Sequence, residues 1–150
     1  MTLVAKPRRI TAKSRFRLEI DGIGDMRLTT LSEIKLTREI IETEEGGAPT
    51  TVELSPNKYK YEPLTAERPL TEDMALVEWD AALKRGVQDK RNGAIYQIDT
   101  EGKDLLKWPL EECIIAEFTE GSFDAKAGSE GNMEKVVIRY RERGKRQLLQ

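Results

Sequence analysis

The sequence predicts a mainly β protein, an antiparallel β-sandwich or barrel of about seven strands with one flanking α-helix. Three observations predict it. Apolar and polar residues alternate with period two in most segments, the turns between these segments are short, and one segment alone combines helical spacing with start and stop signals. The length of 150 residues suits one domain with a proper hydrophobic core.

The first half of the chain contains four predicted strands. Arg15–Ile20 alternates cleanly and ends at an Asp-Gly turn, Met26–Leu31 follows, and Ile34–Ile41 is the third. Lys58–Glu67 is the fourth, and Pro63 restricts it to the edge of a sheet or to a bulge because proline has no amide to donate.

The predicted helix runs from Thr71 to Gly86. Thr71 is expected to cap its first turn, acidic residues follow at the positive end of the helix dipole, and basic residues precede the terminal glycine. Leu76, Trp79 and Leu83 fall on one face, so the helix should cover a sheet.

Three more strands are predicted after the helix: Gly93–Thr100, Leu105–Phe118 and Val136–Tyr140. The first two are expected to form a hairpin, and the Gly-rich, Ser-rich segment Glu120–Asn132 is expected to be a loop. The side chains predicted to lie in the core are Phe16, Leu18, Trp79, Leu83 and Val137.

A long acidic loop is predicted between the third and fourth strands, from Glu42 to Asn57. Negative charges, two adjacent glycines and two prolines all disfavour regular structure there. A loop of this length in a small domain is usually functional or disordered. Because Val52 and Leu54 alternate with polar neighbours, we interpret the segment as an extended arm that needs a partner, with a mobile solvated loop as the alternative.

The charge is unevenly distributed, although the net charge is only -2. Residues 1–17 carry six Lys and Arg and no acid, the segment from Lys135 to Arg146 is also basic, and the middle of the chain is acidic. Oppositely charged regions on one chain permit head-to-tail association of copies. The alternative hypothesis is a nucleic-acid-binding module that uses the basic termini, although no aromatic residues are interleaved with them.

Signals for catalysis are weak. Histidine is absent, which removes the commonest general base and the commonest metal ligand, and neither Gly22-Ile23-Gly24 nor Gly46-Gly47 has the context of a phosphate-binding loop. The single cysteine, Cys113, lies in an apolar run and is expected to be buried. We therefore expect no enzymatic activity and no cofactor or metal. Without a long apolar segment or a signal peptide, synthesis is expected in the cytoplasm.

Several strings, in order, resemble the tail tube proteins of contractile-tailed phages and contractile injection systems, which are related to the type VI secretion tube protein. They are RFRLEIDGIG, REIIETEEGG, KYKYEPLTAERPLTED, RNGAIYQIDTEG, KWPLEECI and SFDAKAGSEGNMEKVVIRY, and they cover nearly the whole chain from Arg15. The resemblance implies a single β domain over residues 14–150, preceded by a basic arm over residues 1–13 that has no counterpart in the family pattern.

The resemblance also implies the function of a structural tube subunit. Six copies would form a ring, and rings would stack into a hollow tube that conducts DNA or protein cargo inside a sheath. The partners implied are further copies of the chain and the sheath, baseplate or spike, and terminator proteins of the same particle, without membrane insertion. The inter-ring loop candidates are Glu42, Glu44, Glu45, Gly46, Gly47, Thr50, Val52 and Leu54. Other interface candidates are Lys58, Tyr59, Lys60, Arg85, Lys90 and Arg91.

Overall fold

A computed structural model describes residues 8–44 and 52–150 of the chain. Within these residues the protein is mainly β, with eleven strands, seven of them at least five residues long, and one helix. The predicted fold class is confirmed. The elements are β1 (Phe16–Ile20), β2 (Gly24–Asp25), β3 (Thr30–Leu31), β4 (Leu36–Glu44), β5 (Val52–Tyr61), β6 (Leu64–Pro69), α1 (Ala75–Lys84), β7 (Arg91–Ile98), β8 (Asp104–Thr119), β9 (Met133–Arg139), β10 (Glu142–Arg143) and β11 (Gln147–Leu148).

Nine strands form one antiparallel sheet in the order β2-β1-β7-β8-β9-β6-β3, with β10 and β11 also paired to β8. The strands β4 and β5 pair only with each other and form a separate two-stranded ribbon. The sheet therefore forms the body of the subunit, and the ribbon is an appendage to it.

Strand β8 is the longest, with 16 residues, and it changes partners midway. Its first part pairs with β7, and from Ile114 onward it pairs with β9. Between the two parts Glu112 has a left-handed backbone (φ 52), and its amide donates to Asn92 Oδ1 at 3.2 Å. The pairing register between β7 and β8 shifts at the same place. This bulge lets one strand belong to both halves of the sheet.

The hydrophobic core lies between the sheet and the helix. Leu18 and Trp79 are fully buried in it, and Leu83 packs against it at partial burial. The predictions for Phe16 and Val137 were wrong, because both are only half-buried and lie outside the buried cluster. The buried residues of this core cluster are Leu18, Ile20, Met26, Leu64, Ala66, Leu76, Trp79, Ile95, Leu110, Cys113, Val136, Ile138 and Tyr140.

A strand alternates its side chains between two faces, which explains the error at Val137. Val136 and Ile138 on either side of it point into the core, so Val137 points away. Phe16 instead lines an open cleft that also includes Trp108.

The helix begins at Ala75, later than predicted, with Met74 as a cap that makes no side-chain hydrogen bond. Thr71 Oγ1 accepts from the Asp73 amide at 3.2 Å, and Asp73 Oδ1 accepts from the Ala75 amide at 3.0 Å. These two turns precede the helix rather than opening it. The predicted end is correct, since Gly86 follows with the left-handed φ of 81° that a helix end often needs.

Two predicted strands and the predicted loop have different bounds. Only Thr30–Leu31 of the segment predicted at 26–31 is a strand, while Met26 enters the core. The segment predicted at 58–67 is divided around Pro63, which lies between β5 and β6. The predicted loop at 42–57 was wrong at both ends, because β4 continues to Glu44 and β5 begins at Val52.

Candidate assembly surfaces

The ribbon of β4 and β5, the arm hairpin, is an irregular antiparallel hairpin. Its register pairs Leu36 with Tyr61 at the base and Glu44 with Val52 at the far end, with a bulge between Arg38 and Ile40. A two-stranded hairpin by itself is marginally stable in water. The described parts of the predicted loop, residues 42–44 and 52–57, are strands of this hairpin, and its role as a docking arm stays a prediction.

One face of the arm hairpin combines apolar and acidic side chains. The register places Ile40 opposite Pro56 and Glu42 opposite Leu54, and residues two apart on a strand share a face. Ile40, Val52 and Leu54 are 50%, 48% and 63% exposed. Exposed apolar side chains on adjacent positions are typical of a surface that meets a partner.

The base of the arm hairpin is held by a tyrosine cluster that consists of Tyr59, Tyr61 and Tyr140. The rings of Tyr59 and Tyr61 lie edge to face at 5.7 Å, and Tyr140 lies 5.4 Å from Tyr61. Both Tyr59 and Tyr61 donate to the Glu142 carboxylate. Burial and then the hydrogen bond to Glu142 raise the pKa of Tyr61 to about 12. The cluster ties the arm to β10.

The tip of the arm hairpin holds several of the predicted inter-ring residues. Glu42, Val52 and Leu54 lie on its strands, and Glu44 is the last residue of β4. Glu45, Gly46, Gly47 and Thr50 lie outside the described residues.

A second surface forms where residues 8–12 meet the C-terminal residue Gln150, beside the turn between β7 and β8. Arg9 Nη1 donates to Gln150 Oε1 at 2.7 Å, and Gln150 Nε2 donates to Asp99 Oδ2 at 2.8 Å. Two adjoining clefts of about 320 and 450 Å³ share Arg9 and Gln150. We define this terminal surface by six residues of the two clefts: Arg8, Arg9, Ile10, Arg15, Lys103 and Leu148.

The other interface candidates fall in two regions of the structure. Lys58, Tyr59 and Lys60 lie on β5 near the base of the arm hairpin, and the remaining three follow the helix. Of these, Arg91 makes two bonds to the Asp89 carboxylate, at 3.1 and 3.0 Å, and its guanidinium lies 5.1 Å from the centre of the Trp79 ring. Arg91 is therefore engaged within the subunit.

The described residues offer no cluster of three His, Cys, Asp or Glu side chains suited to a metal ion. Nor does any helix in the described ranges have the length and apolar character needed to cross a membrane.

The comparison with protein families is decisive for identity. The model of the T4-like virus tail tube protein gp19 matches residues 12–143. The chain belongs to this tail tube family. Comparison with curated proteins finds no match.

Three solved structures illustrate what this tail tube protein is similar to. A chain of the anti-feeding prophage tube-terminating cap has a TM-score of 0.82 at 18% identity, covering 97% of this chain and 95% of that one. A chain of the PVC sheath-tube complex in the extended state has a TM-score of 0.80 at 15% identity, covering 93% of each. Hcp1 from Flavobacterium johnsoniae has a TM-score of 0.57 at 18% identity, covering 89% and 98%. At these identities the likeness shows a shared fold.

Three sets of interacting residues in this tail tube protein have no signal in its sequence. They are Tyr61 with Glu142, Asp99 with Gln150, and the buried pair of Arg68 with Glu134. Each joins residues far apart in sequence, so no local motif could have indicated it. The alternation in Lys58–Tyr61 did predict a strand at Tyr61, but not its contact with Glu142.

Proposed function

We propose that the chain is a structural subunit of the inner tube of a contractile tail or injection particle. Six copies form a ring, and rings stack into a hollow tube through which DNA or protein cargo passes. After synthesis in the bacterial cytoplasm, the subunit assembles with the sheath, baseplate or spike, and terminator proteins. It has no catalytic role, and residues 1–13 act as an accessory arm of the domain over residues 14–150.

The observation that carries the proposal, together with family membership, is the arm hairpin. It projects from a nine-stranded sheet without pairing to it and leaves Ile40, Val52 and Leu54 about half exposed. Burying each of these side chains against a neighbouring copy would contribute on the order of 1 kcal/mol to association, since complete burial of such a side chain is worth about 1.5–3 kcal/mol. Repeated around a ring, these small contributions add up to a stable stack.

The edges of the sheet support lateral association. Strand β2 covers β1 only at Glu19 and Ile20, and β3 covers β6 only at Ala66 and Glu67. Polar backbone groups at such edges can pair with another chain, and ring closure removes the free edge. Each hydrogen bond contributes a net of about 1 kcal/mol, so lateral stability requires many of them.

Shortening the arm hairpin tests the proposal. Ile41 and Ser55 are opposite each other, so residues 42–54 can be replaced by Asn-Gly, a pair that closes two-residue hairpins. The shortened subunit should fold and form single rings that do not stack, as judged by negative-stain electron microscopy and sedimentation. Tubes of normal length would contradict the role of the arm.

A matched pair of point variants refines this test. Leu54→Ser removes an exposed apolar side chain from the arm hairpin, and Phe123→Ser removes one that is 87% exposed in the loop before β9. We expect Leu54→Ser alone to weaken stacking. A wild-type chain that stays monomeric at high concentration, with sheath and baseplate proteins supplied, would refute the tube function itself.

A further inference from the structure

The outer half of the arm hairpin, Ile40–Glu44 with Val52–Ser55, is acidic as well as apolar. It carries three glutamates and no lysine or arginine, and Glu53 is on the other face from Glu42. Glu42 lies opposite Leu54, beside the exposed side chains of Val52 and Ile40. A surface that binds this face should offer both apolar area and positive charge.

The terminal surface offers both. Its clefts are lined by four cationic residues, Arg8, Arg9, Arg15 and Lys103, and by two carboxylates, those of Asp99 and Glu101. Ile10 is 97% exposed and Leu148 is 67% exposed. Exposed apolar side chains are thus interspersed with an excess of positive charge.

The cation of Arg9 is held in place and remains accessible. Gln150 bridges Arg9 to Asp99, and the Arg9 side chain is still 48% exposed. The hydrogen bond from Gln150, followed by those from the backbone amides of Lys103 and Glu101, holds the pKa of Asp99 below its usual value. Asp99 therefore stays ionised, and its carboxylate accepts hydrogen bonds from these other groups. It lies 3.9 Å from Arg9 and leaves the guanidinium accessible to a second carboxylate.

We propose that the arm hairpin of one copy binds the terminal surface of another copy. Glu42 then lies against Arg8 and Arg9, and Leu54 and Val52 cover Ile10 and Leu148. This inference rests on the proposed tube function and identifies the receptor for the arm.

The contact joins two different surfaces, so every copy has one donor arm and one free receptor. Such heterologous contacts form a closed ring where the rotation between copies closes, and otherwise they propagate, here from one ring to the next until something caps the last copy. Because the charged groups are partly exposed, added salt weakens the contact. Stacking is therefore polar, with a defined direction along the tube.

Cross-linking tests the proposal directly. The only cysteine, Cys113, is buried, and burial raises the pKa of its thiol to about 12, so it does not react at neutral pH. The double variant Ile10→Cys with Leu54→Cys, treated with a flexible bismaleimide, should give a ladder of linked oligomers under denaturing electrophoresis. Each single variant should give no ladder, and neither should Leu54→Cys combined with Phe123→Cys.

A charge exchange provides an independent measurement. Arg8→Glu and Glu42→Arg should each raise the protein concentration needed for tube growth by about tenfold or more, since like charges then meet across the contact. The combined variant should recover most of the wild-type behaviour. Lys126→Glu, with the same charge change in the loop before β9, should leave growth unchanged.

The outcomes distinguish the two proposals. Wild-type tubes with no Ile10–Leu54 ladder and no rescue by the charge exchange would overturn the receptor assignment and leave the tube function standing. Absence of rings and tubes in the wild type, with the partner proteins supplied, would overturn both. A ladder together with rescue would support the contact.

Discussion

Removing one charge from the buried pair of Arg68 and Glu134 should destabilise the subunit far more than replacing both residues. The two side chains are opposite each other on β6 and β9 and are only 7% and 4% exposed. Arg68 Nη1 lies 3.3 Å from the Met26 carbonyl oxygen and 3.5 Å from Asp73 Oδ2, while Nη2 is buried without a partner among residues 8–44 and 52–150. The Glu134 carboxylate therefore provides most of the compensation for the buried positive charge of Arg68.

The magnitude follows from the cost of an uncompensated buried charge. Glu134→Leu leaves the Arg68 cation in the core, which costs about 3–5 kcal/mol. Adding Arg68→Met removes that cation and its unpartnered nitrogen, so the double variant should lie within about 1 kcal/mol of the wild type. Since a domain is stable by only about 5–15 kcal/mol, the single variant should lose a large part of its stability.

Urea unfolding of dispersed subunits, followed by the fluorescence of the buried Trp79, measures both changes. The exposed Arg141, which is paired with Glu111 and Glu112, supplies the control, and Arg141→Met should change the unfolding free energy very little. If Glu134→Leu proved as mild as Arg141→Met, or if adding Arg68→Met did not restore stability, the reasoning from burial would be refuted.

Two further changes test the packing of β7 and the base of the arm hairpin. A Cβ at Gly93 would lie 2.5 Å from the Glu19 carbonyl oxygen and 2.7 Å from Ile20 Cδ1, so Gly93→Ala should cost about 1–3 kcal/mol in urea unfolding. An equal loss for Gly131→Ala, where nothing lies within 4 Å, would contradict this. For Tyr61, whose pKa rises from 10.0 to about 12 on folding, the native state retains the proton longer than the unfolded state. The stability that this pKa shift contributes to the folded state is fully present below pH 10 and is lost as pH rises through about 12. Tyr61→Phe should therefore flatten this part of a plot of unfolding free energy against pH.

The sequence predicted the strands and helix that cover the core, because burial on one face enforces a periodic pattern. Leu18, Ile95 and Trp79 belong to such segments, and their elements lie close to the predicted bounds. The outer half of the arm hairpin has water on both faces of the isolated subunit, so no period is enforced there. Both of its strands are edge strands. Proline has no backbone amide hydrogen, and Pro56 is tolerated because an edge strand needs no donor on the side that faces solvent. The signals that predicted a loop were compatible with a hairpin.

The candidate assembly surfaces were less accessible to sequence reasoning. The acidic arm was recognised from local composition, since charge and exposed Val52 and Leu54 lie within one segment. The terminal surface depends on Arg9 meeting Gln150, 141 positions away, and this pairing follows from the sheet that brings both ends of the chain to one place. The basic character of each terminus could be predicted, but not that the two termini form one surface.

The arm hairpin is held by contacts within the subunit at its base, whereas its outer half requires contacts from a second copy. The tyrosine cluster and Glu142 hold its base, whereas Ile40, Val52 and Leu54 at its outer half are left about half exposed. Since an isolated two-stranded hairpin is marginally stable, the outer half should become fully ordered only when a second copy covers it. Anchoring the base limits the orientations of the arm before contact and so lowers the entropy lost on binding. Slower amide hydrogen exchange at residues 40–44 and 52–55 in tubes than in dispersed subunits, with no change in β8, would match this division of roles. Equal exchange in both states would show that the hairpin is stable by itself.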